Sequence, residues 1–411
     1  MALQLHNQIS ASFFTKSREL VIEKLEGSML VVPAYTQMQR GNDAAAAFEQ
    51  EANFWYLTGI NHPDWWLIID GKRAKSWLVS PDVDDVHALF DGSLSKDHAV
   101  LMSGVSDVID RTKGVSLLRQ AARTHQFVYT IDPPAYHDHF GFCMNPAAKD
   151  MRDQLDRIFA KVQDFRPKLA EIRAIKRPEE ITALQYAIDL TMDAFTLIKS
   201  NIEQSQYKYE YQVEADFTHY FRSRGAEGHA YDPIVAGGRN ACTLHYGANN
   251  DQLKKGSLLL MDIGAKAHGY AADITRTYAI GKPTKRQIAV HSEVEQAQKE
   301  IIALLEPGKS VEEYNRDVDR IMKRALIQLN LIRDEQDEAY RAYFPHAISH
   351  GLGIDVHDSL GRPKYLQENM VLTVEPGIYI PDEGIGVRIE DDILITANGH
   401  RNLSQKLSTA L

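Results

Sequence analysis

Residues 258–275 read Leu258-Leu259-Leu260-Met261-Asp262-Ile263-Gly264-Ala265-Lys266-Ala267-His268-Gly269-Tyr270-Ala271-Ala272-Asp273-Ile274-Thr275. Two apolar runs flank a polar, glycine-containing break, the pattern of a β-hairpin. Each run carries an aspartate among its aliphatic residues. Burying a carboxylate is costly unless it is paired or bound to a cation. A reversal around Lys266–Gly269 makes cross-strand partners of residues whose numbers total 535 to 537, so Asp262 and Asp273 become direct or diagonal neighbours. Charges that close repel, and one carboxyl would take up a proton unless a cation lies between them.

The pattern occurs twice. Val371-Leu372-Thr373-Val374-Glu375 and Gly386-Val387-Arg388-Ile389-Glu390 flank a turn in Pro381-Asp382-Glu383-Gly384, and this register sets Glu375 opposite Glu390. One acid in a strand is usually on a solvated face. Two hairpins that each pair carboxylates amid Leu, Ile and Val point to metal binding instead. A nitrogen donor is at hand in His346-Ala347-Ile348-Ser349-His350-Gly351-Leu352-Gly353-Ile354-Asp355-Val356-His357-Asp358. His346 and His350 have the spacing of a helical zinc pair, but the glutamate of that motif is missing and Gly351 and Gly353 oppose a continuing helix. A HExxH site is excluded. Four carboxylates with one imidazole form a hard, oxygen-rich donor set that suits Mn²⁺, Co²⁺, Fe²⁺ or Zn²⁺.

Working outward, 411 residues exceed the ~250–300 at which single cores stop growing, so two domains are expected. The division is placed at Phe165-Arg166-Pro167, because the residue before a proline resists helix; this gives domains 1–165 and 166–411. The first reads as α/β. Ser28–Val32, Trp65–Ile69 and Ala74–Val79 are expected strands, the last two joined at Asp70-Gly71, and Thr15–Glu26 and Met151–Asp164 are expected helices. In the second, Ile181, Leu184, Ile188, Met192 and Phe195 recur at helical spacing after Pro178. Further helices are expected over Tyr211–Arg224, Val290–Leu305 and Ser310–Leu329. Strand-like blocks cover Ser257–Ile263, Ala271–Ile280, Val371–Glu375 and Gly386–Thr396, so this domain reads as α+β.

Composition removes other classes. A net charge of −10 argues against a general nucleic-acid binder. No apolar run approaches the ~20 residues of a membrane helix. The two cysteines, Cys143 and Cys242, cannot build a disulfide framework, which fits a reducing compartment. The first residues lack a basic segment followed by an apolar one, so no secretory signal is read and a cytoplasmic protein is expected.

Several longer strings resemble a known family. They are EIRAIKRPEEITALQYAID, YDPIVAGGRNACTLHYGANN, MDIGAKAHGYAADITRTY, HAISHGLGIDVHD and VLTVEPGIYI followed by GVRIEDDILIT, spread over residues 170–400. Together they resemble the pita-bread-fold metallopeptidases, and within them the aminopeptidase P/prolidase branch. FEQEANFWYLTGI is similar to the N-terminal domain of aminopeptidase P, so the resemblance spans both expected domains. It implies an α+β protein with a C-terminal pita-bread catalytic domain and a smaller N-terminal α/β domain.

The resemblance also implies a site holding two divalent metal ions, Mn²⁺ foremost. Asp262 and Asp273 would bind one ion, with Asp273 bridging; His350, Glu375 and Glu390 would complete the second, with Glu390 bridging. His245, His346, His357, Tyr379 and Arg388 match accessory groups. In that scheme Glu375 moves a proton from water to the leaving nitrogen, His357 stabilises the carbonyl oxygen, and His245 and His346 wall the pocket for the residue after the cut. Arg388 orients Glu390 or Tyr379, or serves only as a structural ion pair. Expected substrates are peptides with proline in second position, whose ring nitrogen offers no N–H. A homodimer or homotetramer is implied as well. Arg362 is a candidate clamp for a substrate carboxylate, and Trp65 and Trp66 are candidates either for capping a neighbouring subunit's cleft or for the core. The alternatives are a prolidase restricted to Xaa-Pro dipeptides and a pita-bread protein that binds without catalysis. Methionine aminopeptidase shares the ligand set but normally lacks so large an N-terminal domain.

Overall fold

Alternating apolar residues pair Leu258–Ile263 antiparallel with Ile274–Ala279, Thr275 opposite Asp262 and Ile274 opposite Ile263. This is seen in the computed structural model, which describes residues 9–133 and 141–411. Ile234–Gly237 adds a third strand on the other side, with Ile234 opposite Asp262. The single strand expected over Ala271–Ile280 is broken. Tyr270–Ala271 pairs with Ala265–Ala267, Ala272 and Asp273 leave the ladder, and pairing resumes at Ile274. Gly264 makes the break possible, since a Cβ there would lie 1.7 Å from the Ala272 carbonyl oxygen. Asp273 is therefore the diagonal neighbour of Asp262, and both side chains emerge at the interruption.

The second hairpin has the expected register throughout. Val374 faces Asp391 and Gly377 faces Arg388, so Glu375 and Glu390 occupy opposed positions between the two ladders. The strand expected over Gly386–Thr396 is two strands, Ile385–Arg388 and Asp391–Thr396. Pro376 supplies the physical reason, because it has no N–H to give the ladder. Its carbonyl still accepts from the Ile389 N–H at 3.2 Å.

The helices Pro178–Glu203, Glu210–Ser223, Lys285–Ile302 and Val311–Gln328 match the expected amphipathic stretches within a few residues at each end, apart from the longer first helix. Val290, Val294 and Ile301 of the third, with Met322 and Leu326 of the fourth, pack on Val374, Ile378, Val387 and Ile389 beneath the second hairpin. Burial of such side chains stabilises by about 1.5–3 kcal/mol each. The hairpin thus rests on an apolar bed, while Glu375 and Glu390 at its break line a cleft.

The chain divides into two compact units, Ile9–Ile172 and Arg173–Leu411, and the division falls inside the helix Arg166–Ala174. Pro167 does not stop that helix. It occupies the first turn, where its missing N–H costs nothing. In the N-terminal unit the strands lie in the order Asp107–Ile109, Lys75–Val79, Trp66–Asp70, Met29–Pro33, Val128–Thr130, Val162–Asp164, a mixed six-stranded sheet. The helix expected over Met151–Asp164 is Ala147–Asp156, because Val162–Asp164 pairs with Val128–Thr130 as an edge strand. Trp65 is buried within this unit, and the Arg111 guanidinium stacks 3.7 Å from the Trp66 ring. Among the described residues no helix is long and apolar enough to cross a membrane.

Candidate active site

A cleft of about 340 Å³ opens in the C-terminal unit where both hairpins break. Asp262, Asp273, His350, Glu375 and Glu390 all line it, as do His245, His346, His357 and Arg388. One ligand atom each of Asp273, His350 and Glu390 lies within 4.8 Å of the others, close enough to share an ion. The His350 Nε2 is 3.4 Å from both Asp273 Oδ2 and Glu375 Oε1. His350 is set by a loop and not a helix. Its N–H and carbonyl region is tied to the second hairpin, the Thr373 N–H donating to the His350 carbonyl at 2.9 Å.

Electrostatics explain why these residues belong with a cation. Burial, reinforced by Asp273 and Glu375, pushes the Glu390 carboxyl well above its ordinary range. Burial also raises Glu375 to about 8, although His350 pulls it back. Burial raises Asp262 against the pull of Arg388. His350 goes the other way: burial disfavours its charge, but Asp273 and Glu375 win and lift it to about 9. Without a cation the cluster therefore has to hold protons. The donor set of carboxylates and one imidazole fits a pair of hard divalent ions.

The groups around the carboxylates fix their aim. The Tyr231 hydroxyl lies 2.6 Å from both Asp262 Oδ1 and Asp273 Oδ1, and burial with these two acids pushes its proton affinity well above the phenol range. Arg388 donates to Asp262 Oδ2 at 2.5 Å and to the Tyr379 hydroxyl at 2.8 Å. It does not reach the Glu390 carboxylate. That contact comes from Thr275, whose hydroxyl donates to Glu390 Oε2 at 2.7 Å and receives Arg388 Nε at 3.2 Å. Behind them Arg276 is fully buried and uses its guanidinium on the carbonyls of Thr275, Glu390, Leu407 and Ser408 and on the Asp391 carboxylate. One side chain thus joins the two hairpins.

The histidines divide by role. Tyr379 receives Arg388, so its hydroxyl proton goes to His346 Nε2 at 2.8 Å, and the His346 proton lies on Nδ1, facing the Ala347 carbonyl at 2.7 Å. This neutral tautomer agrees with a ring that loss of hydration holds down at about 4. His357 stands edge-on to His350 with centroids 4.4 Å apart, and loss of hydration in the concavity likewise holds it at about 4. His245 is exposed on the loop after Gly238–Cys242 and faces the cleft. Tyr379 is buried and acts from behind the lining. Arg362 does not line the cleft.

Sequence reasoning did not single out Tyr231, Thr275 or Asp392. The last is fully buried behind the site, and its Oδ2 accepts from the Asp273 N–H at 3.2 Å. The signal for Tyr231 was available in Tyr-Asp-Pro just before an apolar run, but the strand that follows it, Ile234–Gly237, reaches Asp262 only through a tertiary pairing.

Fold and site together define a metallopeptidase whose cleft carboxylates lie on paired β-hairpins. The chain belongs to metallopeptidase family M24, whose model matches residues 182–397, and the model of the aminopeptidase P N-terminal domain matches residues 14–129. The Xaa-Pro aminopeptidase of Escherichia coli K12 is 34% identical over 429 aligned residues, covering 97% of this chain and 95% of that one. Xaa-Pro aminopeptidase 3 of Homo sapiens is 33% identical, covering 88% of this chain and 75% of its own. Among solved structures, the low-pH form of aminopeptidase P from E. coli superposes with a TM-score of 0.85 at 32% identity, covering 98% of this chain and 96% of that one. The same enzyme with the inhibitor Pro-Leu gives 0.84, at 32% identity and the same coverage.

Proposed function

We propose that this chain is a Xaa-Pro aminopeptidase, a hydrolase that removes the N-terminal residue of peptides carrying proline in second position. The observation that supports it best is the convergence of Asp262, Asp273, His350, Glu375 and Glu390 in one cleft, with no member of the donor set missing. These five would hold two divalent cations, with Mn²⁺ our choice for so oxygen-rich a set. When bound, such ions lower the pKa of water and polarise a carbonyl.

The chain's own groups do the rest. Glu375, half-buried on the cleft wall, takes the proton from water and returns it to the proline nitrogen as the bond breaks. His357 donates to the carbonyl oxygen as charge builds there. His346, with Tyr379 and Arg388 fixing its tautomer, and His245 form the wall against the proline ring. Arg388 aims Asp262 and favours its ionised form against the effect of burial. A homodimer or homotetramer in the cytoplasm completes the proposal, supported by the family resemblance and by two cysteines that form no disulfide; light scattering tests the assembly.

The deciding assay loads the protein with Mn²⁺ and offers it Arg-Pro-Pro, Gly-Pro and a matched peptide without proline. Release of arginine from Arg-Pro-Pro is the expected result. Cleavage of Gly-Pro alone would replace this reading with a prolidase. No cleavage of any Xaa-Pro peptide by protein that retains manganese would mean a binding protein.

A further inference from the structure

Outside the ligand cluster, one buried acid is spent entirely on a loop. Glu210 opens the helix Glu210–Ser223 and has no exposed surface. Its Oε1 accepts from the Gly237 N–H at 2.7 Å and the Asn240 amide at 3.0 Å. Its Oε2 accepts from the Tyr246 hydroxyl at 2.9 Å and the Asp251 N–H at 2.8 Å. All four donors belong to residues 237–251. The Glu210 N–H in turn donates to the Asp251 carbonyl at 3.0 Å, closing the far end of the same segment.

That segment carries no regular structure after Gly238–Cys242, yet it supplies Leu244, His245 and Gly247 to the cleft. A loop of this kind has to be ordered by something other than a ladder, since fixing each free residue costs conformational entropy. Charge-assisted hydrogen bonds to a buried carboxylate are among the stronger ones. The Tyr246 bond sits between His245 and Gly247, so it governs the part of the loop that faces substrate. Burial and then Glu210 push the Tyr246 phenol to about 12, which keeps it a donor.

We propose that Glu210 is the positioning residue for the substrate wall formed by Leu244, His245 and Gly247, and that it sets affinity for the peptide without serving the metal ions. The proposal rests on the Xaa-Pro aminopeptidase reading for the identity of the peptide. Its carboxylate matters for having four acceptor positions. A glutamine keeps the shape but turns an N–H toward two of the donors.

The test compares Glu210→Gln with the unchanged protein, both loaded with Mn²⁺. The readouts are metal content, kcat and KM on Arg-Pro-Pro, and the inhibition constant of Pro-Leu. Removal of binding that is equal in ground and transition states raises KM with kcat unchanged, so KM and the Pro-Leu constant are expected to rise about tenfold while kcat stays within about threefold. Metal content should stay the same. A fall in kcat or in metal with KM and inhibition unchanged would show a merely structural role and overturn the proposal. Should the variant fail to fold, Tyr246→Phe removes one of the four bonds and should raise both constants about threefold; unchanged constants there also overturn it. If the unchanged protein cleaves no Xaa-Pro peptide, the functional reading fails. If it cleaves them and Glu210→Gln is indistinguishable from it, only the role of Glu210 fails.

Discussion

The two hairpins solve one problem in different ways. In the first, Asp262 lies inside a three-stranded ladder and Asp273 just outside it, and protein donors already engage them: Tyr231 bridges both and Arg388 holds Asp262. In the second, Glu375 and Glu390 face each other across a gap in the ladder, and their carboxyls are pushed to about 8 and well above the ordinary range by burial and by their neighbours. In the aspartate hairpin hydrogen bonds engage both acids; in the glutamate hairpin the one short bond, from Thr275 to Glu390, leaves most of the charge to be balanced. Short side chains suit the first and longer ones the second, where reach replaces scaffolding.

The comparison can be broken most forcefully at Asp273, which contacts both halves. Asp273→Ala should remove bound metal and lower turnover by about a thousandfold or more; metal analysis and Arg-Pro-Pro hydrolysis read both. A variant that kept its full metal complement would refute the shared site. Next in size, His357→Ala should leave metal content intact while kcat falls about a hundredfold, as for loss of one oxyanion donor. Loss of both ions there would mean that His357 is a ligand. Tyr231→Phe sharpens the contrast, because it removes the hydroxyl from the aspartate hairpin alone. Metal affinity measured by competition with a chelator should drop about 10-fold to 100-fold. An unchanged affinity would deny that this hairpin is preorganised.

The smallest effect concerns pH. Glu375, raised from 4.5 to about 8, and His350, raised from 6.5 to about 9, both bind more protons folded than unfolded at mildly alkaline pH. The stability these protons give the metal-free protein is therefore lost as pH rises, from 4.5 to 8 for Glu375 and from 6.5 to 9 for His350, and the two losses overlap between 6.5 and 8. His346 and His357, lowered from 6.5 to about 4, act only below that window. Thermal unfolding of the chelated protein should show a falling Tm across it, and added Mn²⁺ should reverse the slope because ligands release protons on binding. A flat profile for the chelated protein would count against the coupling of these groups.

Much of this site could be read from spacing, for a definite reason. Glu375 and Glu390 flank a tight turn, so local register alone places them opposite each other, and the structure agrees to the residue. Asp262 and Asp273 were located only as direct or diagonal neighbours, since a break at Gly264 cannot be counted from alternation. Tyr231 and Thr275 escaped notice because their partners come from other strands. Of the two neighbours expected for Arg388, Tyr379 accepts its N–H directly, whereas Glu390 is reached only through Thr275. In the N-terminal unit, the sequence pattern showed three of the six strands, and neither the three shorter strands nor the order of assembly.

The single guanidinium of Arg276 has a further consequence. It ties the two hairpins together from within, through hydrogen bonds that involve none of residues 243–247 on the cleft wall. Substitution in that wall can therefore proceed while the placing of the cleft carboxylates is inherited unchanged. A protein built this way can diversify its diet without relearning its chemistry.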